Sequence, residues 1–148
     1  MTKTVPRALA LLGGAIVKLI LPSLSHRHSS VRNVALQALG AAMIVDASAI
    51  DDSIEPLRLM TRDKAPTVRQ HLYTLAKDWL TQLMDRHVHG YKIVPLLYAG
   101  LTDEIPNLKQ ISLEYLDIVG VQYEKEHNDR LKDELDYSDG LDRPCTHI

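Results

Sequence analysis

Two histidine pairs, His26-Arg27-His28 and His87-Val88-His89, come nearest to chemistry in this sequence. A His-x-His pair on an extended segment can offer two imidazoles to one metal ion. Zinc takes three or four protein ligands, however, and neither pair has a cysteine, a third histidine or a carboxylate at a suitable spacing. Both pairs are read as solvated turn residues, and no tight metal binding is expected of His26, His28, His87 or His89. Asp51-Asp52 could work as an acid/base pair, but two carboxylates opening a helix suit the positive end of its dipole. The single cysteine, Cys145, lies near the end of the chain. No Gly-rich phosphate loop, Gly-x-Ser-x-Gly turn or His-Glu-x-x-His helix occurs. The expectation is a protein that is not an enzyme, with no catalytic residue, cofactor or small-molecule substrate.

A second set of residues recurs. Arg32-Asn33, Arg69-Gln70 and Lys109-Gln110 each follow an aliphatic residue near the start of a helix, and stacking the helices would set them in a row. Two readings stay open. Each cation could bond the preceding turn, Asp63 beside Arg69 and Asp103 beside Lys109, as a ladder fixing repeat on repeat. Alternatively the row of Arg32, Asn33, Arg69, Gln70 and Lys109, Gln110, with Tyr73, Lys77 and Glu114, could belong to a face that binds a protein partner.

The elements that position these residues repeat visibly. Glu55-Pro56-Leu57 through Asp63-Lys64-Ala65-Pro66-Thr67-Val68-Arg69-Gln70 lies beside Val94-Pro95-Leu96 through Asp103-Glu104-Ile105-Pro106-Asn107-Leu108-Lys109-Gln110, with Asp, Pro, an aliphatic, a basic residue and Gln recurring at an offset of 40 residues. An earlier copy runs from Leu21-Pro22-Ser23 to Ser29-Ser30-Val31-Arg32-Asn33, its Val31-Arg32-Asn33 lying 37 positions upstream of Val68-Arg69-Gln70. Three copies at such a period mark a helical solenoid. Pro22, Pro56 and Pro95 fall in the first helix of each pair, where a missing N–H and a ring clash start or bend it. Pro66 and Pro106, just behind Asp63 and Asp103, start the second helices.

Apolar residues at spacings of three and four form one stripe per second helix. They are Val31, Val34, Ala35, Ala38, Leu39 and Ala42; Val68, Leu72, Leu75, Ala76 and Trp79; Leu108, Ile111, Leu116 and Val119. The expected helices span 7–24, 30–45, 49–62, 67–84, 90–101 and 106–125, with Gly13-Gly14 able to split the first. The fold class is all-α: an α-solenoid of about three helical hairpins, plus a polar C-terminal helix and tail. As domains, 1–137 is the solenoid, with repeats at 15–45, 49–84 and 90–125 and a polar helix at 127–136, and 138–148 is a flexible tail.

Composition agrees. Of 148 residues 45% are hydrophobic, with no Phe and one Trp, a mix that favours helix packed on helix over sheet. A net charge of −2 gives no global attraction to a nucleic-acid backbone. Residues 1–122 carry 13 Lys/Arg against 11 Asp/Glu, while 123–148 carry 4 against 8, so the end of the chain reads as a solvated acidic helix. Lone Cys145 suits a reducing, cytoplasmic compartment. Lys3, Arg7 and Ala8–Val17 imitate a secretory signal, but Lys18 interrupts the run and no small-x-small site follows. No membrane span is expected.

The proline, turn aspartate and aliphatic-Arg/Lys pattern over residues 15–122 resembles the HEAT repeat. Leu24-Ser25-His26-Arg27-His28-Ser29-Ser30-Val31-Arg32, Asp85-Arg86, Lys92-Ile93-Val94-Pro95-Leu96-Leu97, Leu101-Thr102-Asp103-Glu104-Ile105-Pro106, Val119-Gly120-Val121-Gln122-Tyr123-Glu124-Lys125-Glu126 and Leu131-Lys132-Asp133-Glu134-Leu135-Asp136-Tyr137 are together similar to the central part of the HEAT-repeat axonemal dynein assembly factor family. The resemblance implies a non-catalytic, cytoplasmic, protein-binding scaffold for preassembly of axonemal dynein arms in cilia and flagella. Its implied partners are axonemal dynein heavy chains and cytoplasmic chaperones. The alternative is a HEAT scaffold of another kind: a transport receptor, a phosphatase scaffold or a tubulin-binding fragment.

Overall fold

The computed structural model describes the backbone of residues 14–146 and the side chains of residues 14–137. The start of the first expected helix, Gly13 included, lies outside the described residues, as do the side chains beyond Tyr137. Helix α1 covers residues 14–20 and tightens into a 3-10 turn at Leu21–Ser25, with Pro22 in its first positions. Then follow α2 (Ser29–Val45), α3 (Ile50–Met60), α4 (Pro66–Gln82), α5 (Arg86–Tyr98) and α6 (Pro106–Thr146), with 3-10 turns at Ala47–Ala49 and Ala99–Thr102. Among the described residues no strand occurs.

The described residues thus form an all-helical solenoid of hairpins. The chain divides into two compact units, Met1–Leu116 and Asp117–Ile148, the division falling inside α6. In the first unit the end of α1 pairs with α2 and α3 with α4, while Gly100, just after α5, comes up against Ser112 near the start of α6. Helix α4 is central: α2, α3 and α5 all pack on it. Leu36, Leu39 and Met43 of α2, Leu57 of α3, Leu72, Tyr73 and Leu80 of α4 and Ile93 and Leu97 of α5 are fully buried, and Trp79 nearly so. Burying a Leu-sized side chain stabilises by about 1.5–3 kcal/mol, so hairpins that share one core cannot separate cheaply.

Two glycines permit the closest approaches. A Cβ on Gly40 would stand 2.8 Å from Cδ2 of Leu75, and one on Gly100 would stand 1.8 Å from Oγ of Ser112. The first lets α2 lie against α4; the second lets the end of the third hairpin's first helix meet its partner.

Sequence and structure differ in places. Val34 is 65% exposed, while Leu36 and Met43, outside the expected stripe, are core. With alanine at 35, 38, 41 and 42, the apolar side of α2 has little contrast, and its larger side chains set the buried direction. His87-Val88-His89 is not in a turn but opens α5. No break separates residues 125 and 127: α6 runs unbroken to Thr146, and the backbone of 138–146, expected as a loose tail, continues it. Neither proline nor glycine stands between Val121 and Asp139 to stop the helix, and Gln122 Nε2 donates to Glu126 Oε1 at 2.9 Å along it.

Candidate functional site

The hairpin turns hold the most organised polar chemistry in the first unit. Before α4, Asp63 Oδ1 accepts the Ala65 N–H at 2.9 Å; before α6, Asp103 Oδ1 accepts the Ile105 N–H at 2.9 Å. Each aspartate therefore closes an Asx turn two residues long, and the following proline forces its predecessor out of the helical region. Ala65 is extended, with φ −87° and ψ 118°. The same local sequence produces the same local geometry 40 residues apart.

Both carboxylates are gripped by arginines of the preceding hairpin. Arg32 donates through Nε to Asp63 Oδ2 at 2.7 Å and through Nη2 to Oδ1 at 2.8 Å. Arg69 donates through Nε to Asp103 Oδ2 at 2.9 Å and through Nη2 to Oδ1 at 3.2 Å. The remaining Nη1 of each secures its own hairpin: Arg32 to the carbonyls of His26 and Arg27 at 2.8 and 3.1 Å, Arg69 to the carbonyl of Asp63 at 2.6 Å. The partners thus differ from the expected ones. Arg69 does reach residue 63, but at the backbone, and its carboxylate partner lies 34 residues ahead. Lys109 does not pair with Asp103; it is exposed and enters no ion pair among the described residues. A fork-shaped guanidinium can serve two turns at once, whereas a lysine cannot.

Burial raises the pKa of the Tyr73 hydroxyl, and its 2.7 Å bond to Asp103 Oδ2 raises it further. Burial would also raise that of Asp103, but donors from Arg69, the Ile105 N–H and Tyr73 outweigh it and hold the carboxyl below the usual range. Hydrogen bonds to the aspartates raise both guanidinium pKa values against desolvation.

The row that the sequence sets out divides accordingly. Tyr73 is fully buried and Arg69 only 6% exposed, so both are occupied inside the first unit. Asn33 Nδ2 donates to Thr67 Oγ1 at 3.4 Å, and its Oδ1 faces His71 Nδ1 at 3.2 Å, linking α2 to α4. Burial lowers the His71 pKa. Lys77 pairs with Asp78 at 2.7 Å and lies 5.1 Å from the centre of the Tyr115 ring. Gln70, Lys109, Gln110 and Glu114 are exposed, and Gln110 Nε2 donates to Glu114 Oε1 at 3.3 Å. Sequence reasoning missed Tyr115, whose hydroxyl is 3.1 Å from Thr74 Oγ1, and the bridge from Lys92 of α5 to Asp51 of α3. Nothing periodic announces either contact.

His26 Nδ1 accepts the N–H of His28 at 3.1 Å, with the two rings 5.4 Å apart. On α5 the i, i+2 spacing sends His87 and His89 different ways, one exposed and one buried. Among the described residues no three His, Cys, Asp or Glu side chains gather as a metal site.

A family model described as "Dynein axonemal assembly factor 5-like, TPR repeats" matches residues 1–134. Proteins named Dynein axonemal assembly factor 5 are similar to the chain: that of Xenopus laevis is 35% identical over 132 residues, covering 88% of this chain and 15% of that protein. Those of Homo sapiens and Mus musculus are 32% and 30% identical over 120 residues, each covering 80% of this chain and 14% of the relative. The chain therefore spans about one-seventh of the length of these relatives. No solved structure matches it. TPR and HEAT units are both stacked helical hairpins, of about 34 and about 40–47 residues; of the offsets here, 40 falls in the longer range and 37 between the two. By the family match and by these relatives, the chain belongs to the dynein axonemal assembly factor 5-like family.

Proposed function

We propose that the chain is part of a non-catalytic, cytoplasmic, protein-binding scaffold for the preassembly of axonemal dynein arms. The similarity to proteins named Dynein axonemal assembly factor 5, over 88% of the chain for the Xenopus laevis relative, carries the reading. The geometry supports it: the buried charged groups are spent on holding hairpins together, and stacked hairpins leave recurring polar side chains along an extended surface. Gln70, Lys109, Gln110 and Glu114 are the members of the row free to meet a partner. Axonemal dynein heavy chains and cytoplasmic chaperones are the partners proposed for the whole protein. No helix among the described residues is long and apolar enough to cross a membrane.

Cells lacking the full-length protein are expected to build cilia or flagella without dynein arms, with unassembled heavy chains reduced in the cytoplasm. Electron microscopy of axonemes and immunoblots of cytoplasmic heavy chain provide the readout. Normal dynein arms would defeat the proposal and favour a HEAT scaffold of another kind, a transport receptor or a phosphatase scaffold.

A further inference from the structure

Between the first and second hairpin turns lies a cleft of 1190 Å³, bounded by the end of α1, the start of α2 and the C-terminal half of α3. Its floor is aliphatic. Leu24 and Met60 are buried there, whereas Leu59 is 76% exposed on the same wall. A leucine that open to water beside an apolar floor offers contact area left unused among the described residues.

The rim has one dominant sign. Arg27, Arg62 and Lys64 line it, all exposed, and none enters an ion pair among the described residues. Its two carboxylates are already paired: Asp63 is held in two bonds by Arg32, which lines the same cleft, and Glu55 pairs with Arg58 at 2.8 Å. Three free cations therefore surround an apolar floor in a chain whose net charge is −2. The local field opposes the global one, which singles out this place for anions. The lining holds no Phe, Tyr or Trp, its rings being the two imidazoles of His26 and His28, so an oligonucleotide finds little to stack on.

We infer that this cleft binds an acidic peptide segment of a partner protein, one that carries an aliphatic anchor among its carboxylates. The anchor packs on Leu59 and Met60 while the carboxylates face Arg27, Arg62 and Lys64. Acidic motifs are read by clusters of basic side chains in this way, with the apolar contact supplying much of the affinity. The inference rests on the scaffold reading in expecting a protein partner, but it stands or falls separately. Missing dynein arms in cells alongside a cleft that binds nothing would sink the cleft and leave the scaffold.

Fluorescence anisotropy with a labelled Asp-Glu-Asp-Leu-Glu-Asp-Leu-Asp peptide tests the inference. Saturable binding is expected, weakened at least about tenfold by the pair Arg62→Glu and Lys64→Glu, since attractive rim contacts become repulsive. Leu59→Ser, and serine in place of both peptide leucines, should each weaken binding several-fold, while Lys125→Glu with Lys132→Glu leaves it unchanged. These side chains are exposed, so melting temperatures should hold; should the Glu pair fail to fold, Arg62→Gln with Lys64→Gln is read instead. Absence of saturable binding, equal binding of a lysine-for-acid peptide, or indifference to the rim variants would overturn the inference. So would tighter binding of single-stranded DNA at the same residues. Sedimentation showing self-association that the rim variants abolish, with no peptide bound, would overturn it by giving the cleft to a second copy.

Discussion

The two arginine–aspartate pairs occupy equivalent places and are not equivalent in environment. At the junction of hairpins one and two, the Arg32 and Asp63 side chains are 14% and 7% exposed; at the next, Arg69 and Asp103 are 7% and 1% exposed. The difference traces to one residue. Tyr73, four positions after Arg69, donates to Asp103, whereas the corresponding place after Arg32 is filled by apolar Leu36. A repeated motif thus fixes which residues pair, while the neighbour one turn along decides how dry the pair is. The third place, Lys109, is followed at the same distance by Leu113 and has no ion-pair partner among the described residues.

Breaking the drier pair should hurt most. Arg69→Ala leaves Asp103 buried without its cation, a loss of about 3–5 kcal/mol, whereas Arg32→Ala leaves a wetter carboxylate and should lose about 1–3 kcal/mol. Urea unfolding of both variants measures the gap, and equal losses would mean that burial does not rank the pairs.

A smaller change probes the cause. Tyr73→Phe keeps the ring and removes one donor to Asp103, and should destabilise by about 1–2 kcal/mol. It also alters the acid limb of stability. Because the folded Asp103 carboxyl titrates below its unfolded counterpart, its stabilising contribution is complete above about pH 4 and is lost as pH falls through the depressed folded value. Without the tyrosine that depression shrinks, and the loss on acidification should be smaller, as urea midpoints between neutral and acid pH would show. An unchanged acid limb would separate Tyr73 from the titration of Asp103.

The least effect belongs to the unpaired place. Lys109→Ala should shift stability by no more than about 0.5 kcal/mol. A larger loss would reveal a bond in the first unit to this lysine.

These contrasts explain what could be read in advance. The hairpins were legible because Pro56, Asp63 and Pro66 recur as Pro95, Asp103 and Pro106, and each acts through its own backbone within a few residues. Arg69 was legible as a ladder residue, but its partner was not: six residues separate it from Asp63, and sequence spacing alone favours the near carboxylate. The choice of Asp103 depends on how one hairpin is set against the next, which packing around Leu72, Tyr73, Ile93 and Leu97 determines. For the same reason Val34 could not be told from Leu36 on an alanine-rich helix. Continuity through residue 126 was hidden by the change from apolar to polar composition, which marks a solvated helix as readily as its end. The cleft left even less trace, since Arg27, Leu59, Arg62 and Lys64 share no period.

One guanidinium that fastens both its own turn and the following one has a thermodynamic corollary. Opening the third hairpin would strand Arg69, and loosening Arg69 would release the carbonyl of Asp63 that helps to set the second. Neighbouring hairpins are therefore coupled, and the free energy of each depends on whether the next is formed, as in a one-dimensional array with strong nearest-neighbour terms. In such an array the three hairpins are expected to melt as a single cooperative block rather than one at a time.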